Sequence, residues 1–119
     1  MTSAVSIEPW SAAREAEVAA LVAAHPEGLI YYTPAFRSYL LAVVGGECWS
    51  RLAIEDGRVT GVLPLLALAG SHGIVLNSLP FFGSNGGILS TSAAAQSALL
   101  AEYDRVAAGA AVATWISHP

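Results

Sequence analysis

The chain has 119 residues, of which 55% are hydrophobic and 12% charged, and its formal net charge is −4 at pH 7. This length and apolar content predict one folded domain and argue against a disordered chain. Because the chain has five arginines and no lysine, it offers no basic surface for a nucleic-acid backbone, and the composition argues against DNA binding.

Cysteine usage and the N-terminal sequence bear on the compartment. Cys48 has no second cysteine to pair with, and its neighbours Glu47 and Trp49 carry no positive charge, so we interpret it as a small buried residue. The opening MTSAVSIEPW lacks the basic and apolar regions of a secretory signal, and the longest apolar run is about half of the ~20 residues that a membrane helix needs. We expect a cytoplasmic protein without a transmembrane segment.

The first predicted elements are a short strand and a helix. Val5 and Ile7 alternate with polar residues ahead of Pro9, which is typical of a strand that ends at a residue without an N–H donor. Ser11 is the expected N-cap of a helix over residues 12–24, with Arg14 and its acidic neighbours toward water. The apolar face of that helix would consist of Val18, Leu21 and Val22.

A second helix and a long hairpin are predicted next. Thr33 followed by Pro34 predicts a helix over residues 34–44, which the two glycines after it would end. Residues 48–54 and 59–68 are rich in strand formers and flank a polar turn, so they predict a hairpin whose second strand is buried on both faces. Pro64 interrupts that strand and predicts a bulge or a lapse in pairing.

The remaining elements complete an α+β fold. Residues 74–79 predict a strand, Thr91 or Ser92 would cap a helix to about residue 108, and residues 111–116 predict a final strand. The expected order is β-α-α-β-β-β-α-β, as a layered α/β arrangement with a mixed sheet flanked by helices.

A glycine-dense segment, SLPFFGSNGGILS over residues 78–90, separates two apolar runs. Asn85, Gly86 and Gly87 tolerate a left-handed backbone, so the segment could turn sharply and direct several N–H groups at a carboxylate or a phosphate. Asn-Gly between apolar residues is also the strongest short signal for a β-hairpin. The two interpretations are compatible with each other.

No familiar catalytic motif occurs in the chain. The three histidines have no partner at metal-ligand spacing, and nucleophile-elbow, Walker and dinucleotide-binding motifs are absent from the sequence, so no metal or cofactor site is expected. Four carboxylates are interpreted as solvated side chains and not as general bases: Glu55 and Asp56 in the hairpin turn, and Glu102 and Asp104 on the third helix.

Aromatic residues gather around the start of the second helix, where Tyr31, Tyr32, Phe36 and Tyr39 occur within nine positions. Phe36 and Tyr39 share a helix face at i, i+3 spacing, and such clusters are usually core, although tyrosines near a glycine segment can line a pocket. Arg37 on the same helix is the best single candidate for holding an anionic substrate group, the alternative being an ordinary surface arginine.

Three phrases together resemble the opening domain of FemAB-like acyltransferases, the branch of the Gcn5-related N-acetyltransferase (GNAT) superfamily that includes peptidoglycan bridge-forming aminoacyltransferases. They are HPEGLIYYTPAFRSYL, RLAIEDGRVTGVLPLLAL and SLPFFGSNGGILS, in that order. The resemblance covers most of residues 1–119 and implies a GNAT-like fold, with the chain as the N-terminal, acceptor-side domain of a longer protein that has a second GNAT-like domain.

The resemblance also implies the reaction. An acyl or aminoacyl group would pass from acyl-CoA or an aminoacyl-tRNA to the amine of a small molecule or peptidoglycan precursor. The superfamily's Q/R-x-x-G-x-G/A donor loop has no counterpart in this sequence, so we expect the chain alone to be inactive, and no residue is identified as the catalytic base. The expected substrate contacts are Ser84, Asn85, Gly86, Gly87, Tyr32 and Arg37.

A second function class stays open. The final strand would lie at an unfinished sheet edge, and an unpaired edge readily recruits another chain. The alternative hypothesis is therefore a non-catalytic binding or self-assembly module.

Overall fold

The computed structural model describes residues 4–25, 33–43, 45–71, 73–78, 88–110 and 112–115. These ranges contain three helices: α1 (Glu15–Ala24), α2 (Pro34–Val43) and α3 (Ala93–Ala107). They also contain eight strands: β1 (Ser6–Pro9), β2 (Glu47–Cys48), β3 (Arg51–Glu55), β4 (Arg58–Leu63), β5 (Leu66–Gly70), β6 (Gly73–Ser78), β7 (Leu89–Ser90) and β8 (Val112–Trp115). The predicted α+β class is confirmed. The order differs from prediction because both arms of the hairpin are divided and because β7 precedes α3.

The strands form two four-stranded sheets. The first has the order β1-β3-β4-β7 and is antiparallel throughout. The second has the order β2-β5-β6-β8, in which β6 and β8 run parallel and the other pairs are antiparallel. Since β6 and β8 are parallel, the chain between them has to cross back along the sheet, and α3 lies within that crossover.

Helices cover both faces of the first sheet. α1 packs on β4, while α3 packs on β3 and β4 from the other side, which leaves neighbouring strand residues in two separate cores. α2 contacts α1 and β2 on the α1 side. The α1 core comprises Val18, Leu21, Val22, Leu52, Ile54, Val59, Val62 and Leu89, and the α3 core comprises Ala53, Leu63, Leu65, Ala67, Leu76, Ala95, Leu99 and Val106. The predicted apolar face of α1 is confirmed.

The sheets are joined by one long hairpin that bends without losing register. Arg51 pairs with Leu63 on one side of the bend and Cys48 with Leu66 on the other, so two residues on each arm lie between the ladders. Those residues are Trp49 and Ser50 on one arm and Pro64 and Leu65 on the other. The predicted lapse in pairing at Pro64 is therefore confirmed. We call these four residues the junction.

One backbone hydrogen bond crosses the junction, from Trp49 N to the Leu65 carbonyl at 3.0 Å, and side chains supply other partners there. Ser50 Oγ accepts a hydrogen bond from Leu65 N at 3.0 Å, and its side chain is buried with only 4% exposure of the residue. The Ser50 carbonyl accepts from Trp10 N at 3.0 Å, which extends the antiparallel register of β1 and β3 by one pair. Arg51 Nη1 donates to the Trp49 carbonyl at 2.6 Å. Buried backbone groups are thus satisfied although the sheet is interrupted.

Most predicted turn and cap signals are found in place. Thr33 Oγ1 accepts from Phe36 N at 3.3 Å and Ser92 Oγ from Ala95 N at 3.0 Å, so both residues cap their helices. Asp56 and Gly57 occupy the hairpin turn with φ of 52° and 76°. The Ser11 prediction was wrong in part, because its side chain makes no cap bond and a 3-10 turn over Ala12–Arg14 precedes α1.

No helix in the described ranges combines the length and the apolar character that crossing a membrane requires.

The junction predicts a stability effect for Ser50→Ala. The substitution leaves the buried N–H of Leu65 without its acceptor, and we expect a loss of about 1–3 kcal/mol in the free energy of unfolding, measured by urea denaturation. Ser97→Ala is the matched control, since Ser97 is exposed on α3 and alanine is the better helix former. An equal loss in both variants would contradict a special role for Ser50.

Close packing at Gly61 predicts a second effect. A Cβ added there would lie 2.8 Å from Leu99 Cδ1 and 3.3 Å from Ser90 Cβ, so Gly61→Ala should force α3 away from β4 and lower stability by about 1–3 kcal/mol. At Gly109 the nearest atom to an added Cβ is 3.8 Å away, so Gly109→Ala should leave stability unchanged or slightly raised. Urea denaturation of the two variants side by side checks this, and an unaffected Gly61→Ala would refute the packing argument.

Candidate functional site

Five of the six predicted substrate contacts cannot be located in the structure. Tyr32 and the four residues Ser84, Asn85, Gly86 and Gly87 lie outside the described residues, as does Tyr31. Arg37 is described, and it lies on α2. The predicted pairing of Phe36 with Tyr39 is found, with ring centroids 5.8 Å apart.

The strands that flank the glycine-dense segment limit what the segment can be. β6 ends at Ser78 in the second sheet, where its neighbours are β5 and β8, whereas β7 begins at Leu89 in the first sheet beside β4. The two flanking strands therefore do not pair with each other. A hairpin that pairs β6 with β7 is therefore wrong, while the predicted turn at Asn85 and Gly86 lies outside the described residues.

Arg37 is not an ordinary surface arginine. Its guanidinium Cζ lies 5.1 Å from the ring centroid of Trp10, in a cation–π arrangement. Its Nε donates to Cys48 Sγ at 3.1 Å, and the residue is half-buried. Trp10 follows β1 and Cys48 belongs to β2, so α2 places Arg37 over the place where the two sheets meet.

The interpretation of Cys48 needs correction. The thiol is partly exposed instead of buried, and a cationic group does contact it. Its sequence neighbours misled because the cation comes from a helix eleven residues earlier. The sequence neighbours of Cys48 therefore could not reveal the helix that packs against β2.

The third helix carries a carboxylate that prediction placed in water. The side chain of Glu102 is only 12% exposed, and it binds Arg51 Nε at 3.0 Å and Arg105 Nη2 at 2.8 Å. Its hydrogen bonds to Arg105, and then to Arg51, lower the pKa of Glu102 despite the opposing effect of burial. Because Arg51 also binds the Trp49 carbonyl, this ion network fastens α3 to the junction.

Glu55 and Arg14 also have partners where solvated side chains were predicted. Glu55 Oε1 accepts from Ser92 Oγ at 2.5 Å and from Thr60 Oγ1 at 3.0 Å, which ties the hairpin to the cap of α3. Arg14 forms ion pairs with Glu8 at 3.2 Å and Glu17 at 2.8 Å. These carboxylates are engaged in holding elements together. Asp104 is exposed, as predicted.

Two open depressions flank the sheets. One of about 320 Å³ is lined by Glu47, Trp49 and small apolar residues, and Trp49 Nε1 donates to Glu47 Oε2 at 3.1 Å. The other, of about 380 Å³, lies beside His25 and Ser90, where His25 Nε2 is 2.7 Å from the Ser90 carbonyl oxygen. Within the described ranges, no group of three His, Cys, Asp or Glu side chains could hold a metal ion.

A scan against models of protein families and a search of curated proteins find no match to this chain. The acyltransferase resemblance therefore has its support in the three sequence phrases alone.

The ion network predicts a pH-dependent effect of Glu102→Gln. A carboxyl whose pKa is lowered on folding stabilises the protein above its unfolded pKa, and that contribution disappears as the pH falls through 4.5 and the folded pKa. We expect Glu102→Gln to lower the free energy of unfolding by about 1–2 kcal/mol at pH 7, and by progressively less below the ordinary carboxyl range. Urea denaturation at several pH values measures this difference.

Asp104→Asn is the matched control for that experiment, because it removes one negative charge from the exposed side of the same helix. Its effect should be small at every pH. A Glu102→Gln penalty that stays constant into acid would contradict the assigned role of the Glu102 carboxylate.

Proposed function

We propose that this chain is the acceptor-binding unit of a FemAB-like N-acyltransferase with a GNAT-like fold, which transfers an acyl or aminoacyl group to an amine. The observation that carries the proposal is that β6 and β7, which flank the SLPFFGSNGGILS phrase in the sequence, belong to different sheets. The helix-opening and hairpin phrases that accompany it coincide with α2 and with the hairpin through the junction.

The topology supports a binding role for residues 79–87. In open sheets with parallel strands, ligands bind beyond the carboxyl ends of strands, at the point where the chain leaves for a different position. β6 ends at Ser78 beside Trp115 of the parallel strand β8, and the chain then crosses to the first sheet. The glycines in this segment would allow a ligand to approach the backbone closely.

The proposed chemistry needs little from this chain beyond positioning. The acceptor amine would attack the thioester carbonyl of acyl-CoA or the ester carbonyl of an aminoacyl-tRNA, and orientation and polarisation of that carbonyl would supply most of the acceleration. Ser84, Asn85, Gly86 and Gly87 would contact the acceptor through backbone N–H groups, with Tyr32 and Arg37 beside them. The donor would bind a second GNAT-like domain, since this sequence has no donor loop.

A self-assembly module is the competing proposal, and one observation favours it. β8 stands at the end of the second sheet, and β6 is its neighbour in the described strand order. An edge of this kind can pair with another copy of the chain, and the hydrophobic content of 55% would favour such association.

Binding of an amine acceptor tests the main proposal. We expect the purified chain to bind a lysine-containing peptidoglycan-precursor peptide saturably in an NMR titration, with amide shifts at residues 84–87. The same peptide with its amine acetylated is the matched ligand control and should bind more weakly. Acyl-CoA added alone should cause no shifts, because the donor loop is absent.

Two variants separate binding from folding. Gly86→Val with Gly87→Val should retain the folded spectrum and weaken peptide binding if these glycines form a contact surface. If the variant does not fold, the two glycines serve only as a strained turn. If it folds and binds the peptide as the native chain does, both the turn and the contact interpretations are wrong. Light scattering over a concentration series tests the competing proposal. A chain that dimerises but does not bind the peptide would favour self-assembly.

A further inference from the structure

Arg37 differs from the other arginines of the chain in its electrostatic surroundings. Arg14, Arg51 and Arg105 each have a carboxylate within 3.2 Å. Neither Arg37 nor Arg58 has such an ion pair with the described acidic residues, and of these two only Arg58 is exposed on the surface. A cation that is half-buried without a counterion has lost hydration that no described carboxylate replaces.

The contacts of Arg37 hold its guanidinium group and leave the two outer nitrogens without a hydrogen bond in the described chain. The guanidinium Cζ lies over the Trp10 ring, 5.1 Å from the centroid, and the bond from Nε to Cys48 Sγ uses the inner donor. The hydrogen bonds of the described chain leave Nη1 and Nη2 available, and these two nitrogens form the planar fork that matches a carboxylate or a phosphate. A fork already immobilised loses little entropy when it binds an anion.

A second unused donor belongs to the same aromatic ring. Trp10 Nε1 is buried, and it has no hydrogen-bond partner among the described residues. Buried indole nitrogens usually have an acceptor, so an orphaned one points to a group that is supplied from outside the chain. By contrast, Nε1 of Trp49 already donates to Glu47.

From these observations we infer that Arg37, held by Trp10 and Cys48, forms a binding site for an oxyanion, either a carboxylate or a phosphate group of the ligand. The guanidinium fork binds two oxygens, and Trp10 Nε1, on the ring that the guanidinium contacts, supplies a further donor. The site lies over the junction on the α1 and α2 side of the sheets. Oxyanion binding itself is independent of the proposed function, and only the assignment of the anion to the amine acceptor rests on it.

Titration of the full-length chain with simple anions tests the site. Sodium acetate and sodium phosphate are added at constant ionic strength, with sodium chloride as the baseline, while ¹H–¹⁵N spectra follow arginine Nε and tryptophan Nε1. We expect saturable shifts at Arg37 and Trp10 and none at Arg58 or Trp49. Tighter binding of acetate would identify a carboxylate ligand, and tighter binding of phosphate would identify a phosphate ligand.

Substitutions at Arg37 and Trp10 then measure how much each residue contributes to the affinity for the anion. Arg37→Lys keeps the charge but removes the fork, so its affinity for the preferred anion should fall about tenfold or more, whereas Arg58→Lys should bind as the native chain does. Trp10→Phe keeps a ring for stacking and removes Nε1, so it should bind about three- to tenfold more weakly and retain the Arg37 shifts.

Two results would overturn the inference. One is a set of shifts that follows ionic strength alone, and the other is unchanged affinity in both Arg37→Lys and Trp10→Phe. If Arg37→Lys does not fold, Trp10→Phe still decides, because its aromatic ring preserves the packing. A chain that binds acetate or phosphate but not the lysine-containing peptide would retain this site while refuting the acceptor proposal.

Discussion

The interruption of the long hairpin at the junction is the constraint on which the rest of the structure depends. An uninterrupted hairpin would have continued as one pair of strands from β2 to β4, but pairing lapses at the junction and the arms divide between two sheets. One backbone bond persists there, from Trp49 N to the Leu65 carbonyl, and Ser50 Oγ accepts from Leu65 N. Register survives the break, so the alternation of side chains continues and each helix still finds an apolar face.

The junction also organises the charged groups of the molecule. Arg51 follows it directly and connects the Trp49 carbonyl to Glu102, which fastens α3 on one face. The backbone N–H of Trp10 donates to the Ser50 carbonyl, and the ring of Trp10 contacts the guanidinium of Arg37 on the other face. The stabilising ion network and the proposed oxyanion site therefore both depend on the interrupted hairpin, and they lie on opposite sides of the sheet.

Sequence was sufficient where the cause of a structure is local. The cap at Thr33, the lapse at Pro64 and the buried face of α1 each follow from a residue type and its near neighbours. It failed at Glu102, whose partner Arg51 is 51 positions away, and at Cys48, whose cation arrives on another element. The periodicity of apolar residues indicates which face of a helix or strand is buried. It does not indicate which distant side chain will contact that face.

The overall charge of the chain restricts how an oxyanion could be held. A net charge of −4 gives no long-range attraction for anions, so steering would not raise their rate of arrival. Affinity would have to come from contacts at short range, where partial burial reduces screening and strengthens each charge-assisted hydrogen bond. Arg37 meets that requirement because stacking on Trp10 removes part of its hydration before any ligand binds. Because the chain as a whole is negative, ligands that combine an oxyanion with a cationic amine would be favoured over simple anions.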